Sequence, residues 1–218
     1  VGKGWGQGPQ HSKSLQAWFA HVPGLRVAMP STAFDAKGLL MDAIFGEDPC
    51  IFIEGRPLFS MRDRVPEEPY RVPFGKARVR RVGRDVTVIA LGYMVHMALR
   101  AAEMVKGEGI DAEVIDLRTV IPLDEDAVMG SVEKTGRLVV ADTAWRSFGV
   151  SAEISARVAE RAFGRLRAPV ARVALPDGHS PTSAALEDLF YPKEGDIANA
   201  IRGVVLDRSV PMPAGREN

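Results

Sequence analysis

Gln10-His11-Ser12 is the triplet in this chain best suited to chemistry. Imidazole is the one side chain whose ordinary pKa lies near neutrality, so His11 can take up and release protons under working conditions. Gln10 and Ser12 carry donors and acceptors that can fix its tautomer by hydrogen bonding. Gly2, Gly4, Gly6 and Gly8 run up to the triplet in alternation, a spacing that lets backbone approach backbone or ligand closely. The chain starts without Met, and the expectation is that it opens inside a fold whose site is completed elsewhere.

Other arrangements carry less. There is no Gly-x-Ser-x-Gly elbow to support a Ser-His-Asp hydrolase. His11, His21, His96 and His179 are too scattered for a metal-ligand spacing. The glycine series follows no strand within this chain, which sets it apart from a dinucleotide fingerprint. Gly92 and Gly149 fall at strand-to-helix turns, where parallel sheets bind ligands, although single glycines are common there. Gly46-Glu47-Asp48 reads as a plain helix C-cap, or as carbonyls offered to a cation at the negative pole of a helix.

The elements that must position these residues follow from hydrophobic pattern. A helix over Leu15 to Ala20, a strand over Leu25 to Met29, a helix over Ala33 to Phe45 and a strand over Cys50 to Glu54 come first. Thr32 supplies a capping hydroxyl to the second helix, and Asp35 an acid for its first turn. From Arg56 to Phe74 four prolines interrupt the pattern, which reads as a linker or a surface-hugging crossover. Strands then alternate with helices: 85–90, 112–117, 138–141 and 170–175 as strands, 94–106, 124–133, 151–162, 183–190 and 194–204 as helices. The fold class is therefore α/β, with a parallel sheet covered on both faces. Lys76, Arg78, Arg80 and Arg81 read as an edge strand protected by charge. The predicted boundaries are 1–70, 71–207 and a loose tail over 208–218.

Composition narrows the partners. Lys plus Arg and Asp plus Glu balance at 28 each, so net charge draws the chain neither to nucleic acid nor to an acidic membrane surface. No apolar run approaches the roughly 18 residues of a spanning helix. Cys50 is the single cysteine, which excludes disulfide and Cys-based zinc frameworks and suits a reducing, cytoplasmic compartment.

Several segments together resemble the beta subunit of thiamine diphosphate-dependent 2-oxo acid dehydrogenases of the pyruvate, branched-chain and acetoin type. They are the run from Gly4 to Ser12, the run from Pro23 to Leu40, Pro66-Glu67-Glu68-Pro69-Tyr70, the run from Val114 to Thr119 with Pro122-Leu123-Asp124, and the run from Lys134 to Val140. The resemblance implies the last part of a pyrimidine-binding α/β domain followed by a transketolase C-terminal-type domain. It implies that His11 handles protons on the cofactor and helps deliver an acyl group to lipoamide, with Gln10 and Ser12 supporting the ring. The family's glutamate that activates the pyrimidine has no counterpart here, and Glu54 is at the wrong end of the domain to replace it. This chain alone is thus expected to be inactive.

The implied cofactors are thiamine diphosphate, shared with a partner subunit, and magnesium held by that partner. A potassium ion on backbone carbonyls of Ala43, Ile44, Gly46 and Asp48 is also implied, although Gly46-Glu47-Asp48 departs from the usual loop. The implied partners are an alpha-type decarboxylase subunit, a second beta subunit and a lipoyl acyltransferase core. The runs 142–149 and 175–183 depart from the pyruvate-type pattern, which suits a bacterial side branch, and substrate choice lies mostly with the alpha-type partner. Two rival expectations are a non-catalytic dimerisation or assembly module and a transketolase-like two-carbon transferase.

Overall fold

The structure is a computed structural model and describes residues 1–3 and 6–206. The tail predicted over 208–218 lies outside the described residues, as do Gly4 and Trp5 of the glycine series. In chain order, α1 (Gly8–His11) and α2 (Gln16–Ala20) precede β1 (Arg26–Ala28), α3 (Ala33–Ile44) and β2 (Cys50–Phe52). After a crossover come β3 (Arg78–Arg81), β4 (Val86–Ala90), α4 (Tyr93–Lys106), β5 (Ala112–Asp116) and β6 (Thr119–Ile121). Then follow α5 (Glu125–Thr135), β7 (Leu138–Trp145), α6 (Val150–Ala162), β8 (Ala171–Leu175), α7 (Ala184–Phe190) and α8 (Glu194–Val205).

The larger sheet has the order β3-β5-β4-β7-β8, parallel throughout except for β3, which runs antiparallel along β5 at the edge. All five residues of β4 and all five of β5 are buried, the mark of a sheet covered on both faces. Val86, Val88 and Ala90 pack with Met97 and Ala101 of α4 and Ile197 and Ile201 of α8. Ile89 turns the other way, with Ile115, to meet Val128 and Val132 of α5 and Ile154 and Val158 of α6. The period of two along β4 thus feeds two separate cores. Each such aliphatic side chain contributes roughly 1.5–3 kcal/mol on leaving water.

Helix ends are set by capping residues, of which the sequence pattern singles out Thr32. The Thr32 hydroxyl accepts from Asp35 N at the start of α3, as Asp124 does from Ala127 N at α5. Gly136, with φ +68, closes α5 in the left-handed region. The crossover hugs α3: Val72 and Phe74 are buried against it, Tyr70 Oη donates to Phe34 O at 2.8 Å, and the two rings stack.

The smaller sheet has the order β2-β1-β6. β1 pairs parallel with β2 and antiparallel with β6. β6 falls inside the stretch assigned to the second domain, so one domain's strand completes the other domain's sheet. β3 is the expected charged edge in part: Arg81 bonds Asp111 and the Ala112 carbonyl. Arg80 instead turns inward, 3.8 Å from the buried Asp35.

Candidate active site

His11 ends α1 and is exposed, and so is Gln10. Ser12 is buried and its hydroxyl has no hydrogen-bond partner among the described residues. Neither Gln10 nor Ser12 hydrogen-bonds the ring in this chain, so the tautomer-fixing expected of them is not made here. From Ser12 to Leu15 the chain has no regular secondary structure, and burial alternates along it. His11 and Lys13 face out; Ser12, Ser14 and Gln16 face in.

Each inward residue is held by the larger domain. Tyr191 Oη donates to Ser12 O at 3.2 Å and shares a 2.8 Å hydrogen bond with Ser180 Oγ. Ser14 Oγ donates to Thr143 Oγ1 at 3.4 Å. Gln16 Nε2 donates to Asp142 Oδ1 at 2.6 Å. On the other side of the histidine, Gly6 N donates to Glu187 Oε2 at 3.3 Å. The close approach expected of the glycines is made at Gly6 and Gly8, both with φ +62. A Cβ on Gly6 would stand 2.5 Å from Thr182 O, and one on Gly8 3.0 Å from Thr182 Oγ1.

Asp142 is fully buried, and burial pushes its carboxyl up to about 6 against the pull of the Gln16 amide and backbone N–H groups. A second polar junction lies beneath α3. Asp35 is fully buried and Arg118 Nη2 is 2.5 Å from it. Ser31 Oγ donates to the buried Asp116, whose carboxyl burial pushes up to about 6. His96 Nε2 lies 2.7 Å from Ser31 O, which makes it part of this junction. Gly92, with φ +49, presses against Met29, and a Cβ there would stand 2.9 Å from Met29 Cε. Its role is close packing of the two sheets.

Among the described residues no group of three His, Cys, Asp or Glu can hold a metal ion. Beside the turn of Ala43, Ile44, Gly46 and Asp48, where potassium is expected, a Cβ on Gly46 would meet Arg26 Nη1 at 2.9 Å and Asp42 O at 3.0 Å, so a guanidinium lies close to that turn. Arg26 is fixed there by Asp42 at 3.2 Å and by the Phe74 ring, 3.9 Å from its centroid.

Gln16, Asp142, Thr143 and Tyr191 were missed as site residues. The polar alternation Ser12-x-Ser14-x-Gln16 and the acid that follows the apolar run Leu138 to Ala141 were signals for the first two. Tyr191 carries no comparable signal.

Comparison with known proteins agrees with this architecture. The transketolase pyrimidine-binding domain matches residues 3–61 and the transketolase C-terminal domain residues 75–197. The acetoin:2,6-dichlorophenolindophenol oxidoreductase subunit beta of Cupriavidus necator is 48% identical over 202 residues, 93% of this chain and 60% of that one. The pyruvate dehydrogenase E1 component subunit beta of Bacillus subtilis is 46% identical over 196 residues, 89% of this chain and 60% of that one. A solved structure, a split-gene transketolase described as an inactive beta4 tetramer, matches with TM-score 0.76 at 27% identity, covering 90% of this chain and 62% of its own. The chain spans about 60% of the length of these curated relatives. It belongs to the transketolase family, with a match to the pyrimidine-binding domain followed by one to the C-terminal domain.

Proposed function

We propose that this chain is the C-terminal portion of the beta subunit of a 2-oxo acid or acetoin dehydrogenase. The observation that carries the reading is the exposed His11, on a segment whose inward residues dock on the larger domain, in a chain 46–48% identical to two such subunits. In the assembled enzyme, thiamine diphosphate supplies the carbon–carbon bond cleavage when bound. An alpha-type subunit holds its diphosphate through magnesium. A second beta subunit and a lipoyl acyltransferase core complete the assembly.

This chain's own part is narrower. The segment from Ser12 to Gln16 and the glycine loop hold His11 at the surface, where an imidazole nitrogen accepts and returns a proton as the acyl group passes to lipoamide. Arg26 takes the place of the potassium. A cytoplasmic location suits the single Cys50 and the bacterial relatives. Pyruvate-type and acetoin-type relatives stand within two points of identity, so the reading stops at that class. A transketolase-like transferase ranks behind it, because the solved transketolase is only 27% identical.

The test is reconstitution. This chain, joined to the missing beta-subunit sequence and assembled with an alpha-type partner, should acylate lipoamide from pyruvate or acetoin. The same chain alone should not. His11→Ala should lower acyl transfer by about 10²–10⁴-fold with little change in cofactor affinity. Equal loss of both would make His11 structural, and failure of every assembly would leave the non-catalytic module.

A further inference from the structure

We infer that Asp142, acting through Gln16, is a positioning residue for His11: it fixes which side of the segment from His11 to Gln16 meets solvent. The inference rests on the reading of His11 as the proton carrier.

Along residues 11–16 burial alternates, with His11 and Lys13 exposed and Ser12, Ser14 and Gln16 buried. A slip of one residue along this segment would carry His11 into the buried place of Ser12 and bring Ser12 out of it. Something must forbid that shift. Apolar packing is a weak device for it, because it is non-directional. A hydrogen bond to a carboxylate is directional and strong, and Gln16 makes one of 2.6 Å to Asp142 at the end of the segment.

Asp142 is itself immobilised. It lies in β7, between β4 and β8, one residue past the last pair Ala90–Ala141, and its Oδ1 also accepts from Ala144 N at 3.2 Å. At the other end, Tyr191 Oη grips the Ser12 carbonyl, and Ser14 is bonded to Thr143 between the two. The run is thus tied to the larger domain at Ser12, Ser14 and Gln16.

The pair is also expensive to keep. Gln16 and Asp142 are both wholly buried, and Gln16 Oε1 and Asp142 Oδ2 lack partners among the described residues. The hydroxyls of Ser12 and Ser151, which flank the pair at the segment and at the start of α6, lack them too. Unpartnered buried polar atoms destabilise a fold. An apolar pair of the same shape would hold the two domains together at lower cost, but without a direction. What the polar pair adds is the setting of His11.

The experiment uses the reconstituted assembly, with three readouts: steady-state acyl transfer, cofactor affinity, and the His11 ring resonance followed by NMR against pH. Gln16→Met keeps length and burial and removes the donor. It should lower kcat for acyl transfer about 10–100-fold, the cost of a small misplacement. KM for the substrate and cofactor affinity should stay within about twofold, and the His11 resonance should move. Gln16→Glu sets two carboxyls together, which share a proton only at lower pH. Its activity relative to the wild type should therefore recover as pH falls, while that of Gln16→Met should not.

Wild-type kcat and an unmoved His11 resonance in Gln16→Met would overturn the inference, as would a pH profile for Gln16→Glu parallel to that of Gln16→Met. If Gln16→Met does not fold, Tyr191→Phe replaces it, since it keeps the ring and drops the donor to Ser12 O. It should show the same loss in kcat and the same displaced resonance, and wild-type values would again overturn the inference. A wild-type assembly without acyl transfer would defeat the proposed function; the His11 resonance in wild type and variant would still decide the positioning.

Discussion

Arg118 Nη2 lies 2.5 Å from Asp35 Oδ1 at the junction of the two sheets, and both side chains are nearly closed to water. The pair joins the first turn of α3 to the turn between β5 and β6. Arg118 adopts φ +61 to make it, a conformation that costs a residue with a side chain roughly 1–2 kcal/mol.

Arg118→Ala should therefore strand a buried carboxylate and destabilise the chain by about 3 kcal/mol, the low end for a broken buried pair, because Arg80 stands 3.8 Å away. Arg118→Gly loses the same ion pair but relieves the backbone, and should be about 1 kcal/mol less damaging. Urea midpoints of the two variants decide this; a midpoint for Arg118→Ala equal to wild type would refute it.

Gly6→Ala and Gly24→Ala form a matched pair. Both positions have positive φ, +62 and +85, but a Cβ on Gly6 meets the Thr182 carbonyl and one on Gly24 meets nothing within 4 Å. Gly24→Ala should cost only the backbone strain, about 1 kcal/mol. Gly6→Ala should cost more, and it should also raise proteolytic cleavage within the glycine loop. Equal stability and equal cleavage would show that the close approach to Thr182 does not matter.

Stability should fall as pH rises from about 4.5 to 7. Burial lifts the carboxyls of Asp116 and Asp142 from 3.8 to about 6, so across that window the folded chain binds more protons than the unfolded one. Their favourable share is complete below the unfolded pKa and is lost as pH climbs through the folded one, by at most ~3 kcal/mol each. At Glu113 burial pushes up, but hydrogen bonds from Lys134 and Ser131 prevail and hold it low. Its contribution disappears only as pH falls below the ordinary glutamate range. Urea midpoints from pH 4.5 to 7 should therefore slope downward, and Asp142→Asn should flatten part of that slope. A rising midpoint would contradict the assignment.

Potassium should not stabilise the chain specifically, because Arg26 already meets the last turn of α3. Melting temperatures in equal concentrations of KCl and NaCl should agree within about 1 °C, far less than the several degrees that 1 kcal/mol is worth. A potassium-specific rise would return the ion to Ala43, Ile44, Gly46 and Asp48.

Much of this architecture is legible in the chain because it is local. β4, β5 and β8 fall within a residue of their predicted bounds, since buried β-branched runs between glycines and prolines have few alternatives. Thr32 and Gly136 do what their types dictate. β6 escaped because three residues before a proline show no period. Asp35 was read only as an acid in a first turn; its partner Arg118 is 83 positions away, and nothing local announces it. The same holds for the site. His11 stands out by its type and flanks, but whether Gln10, Ser12 or Gln16 supports it depends on which face the segment turns toward Asp142.

The placing of β1 between β2 and β6 has a consequence for synthesis. A chain leaves the ribosome from its N-terminus, so β1 and β2 emerge together, whereas β6 follows only after β3, β4 and β5. Until then one side of β1 has open hydrogen-bonding groups and a half-covered apolar face. The smaller sheet therefore cannot mature as an independent unit during translation, and must wait for part of the larger one. A nascent chain arrested before Thr119 should be a better client for chaperones than one released after Ile121.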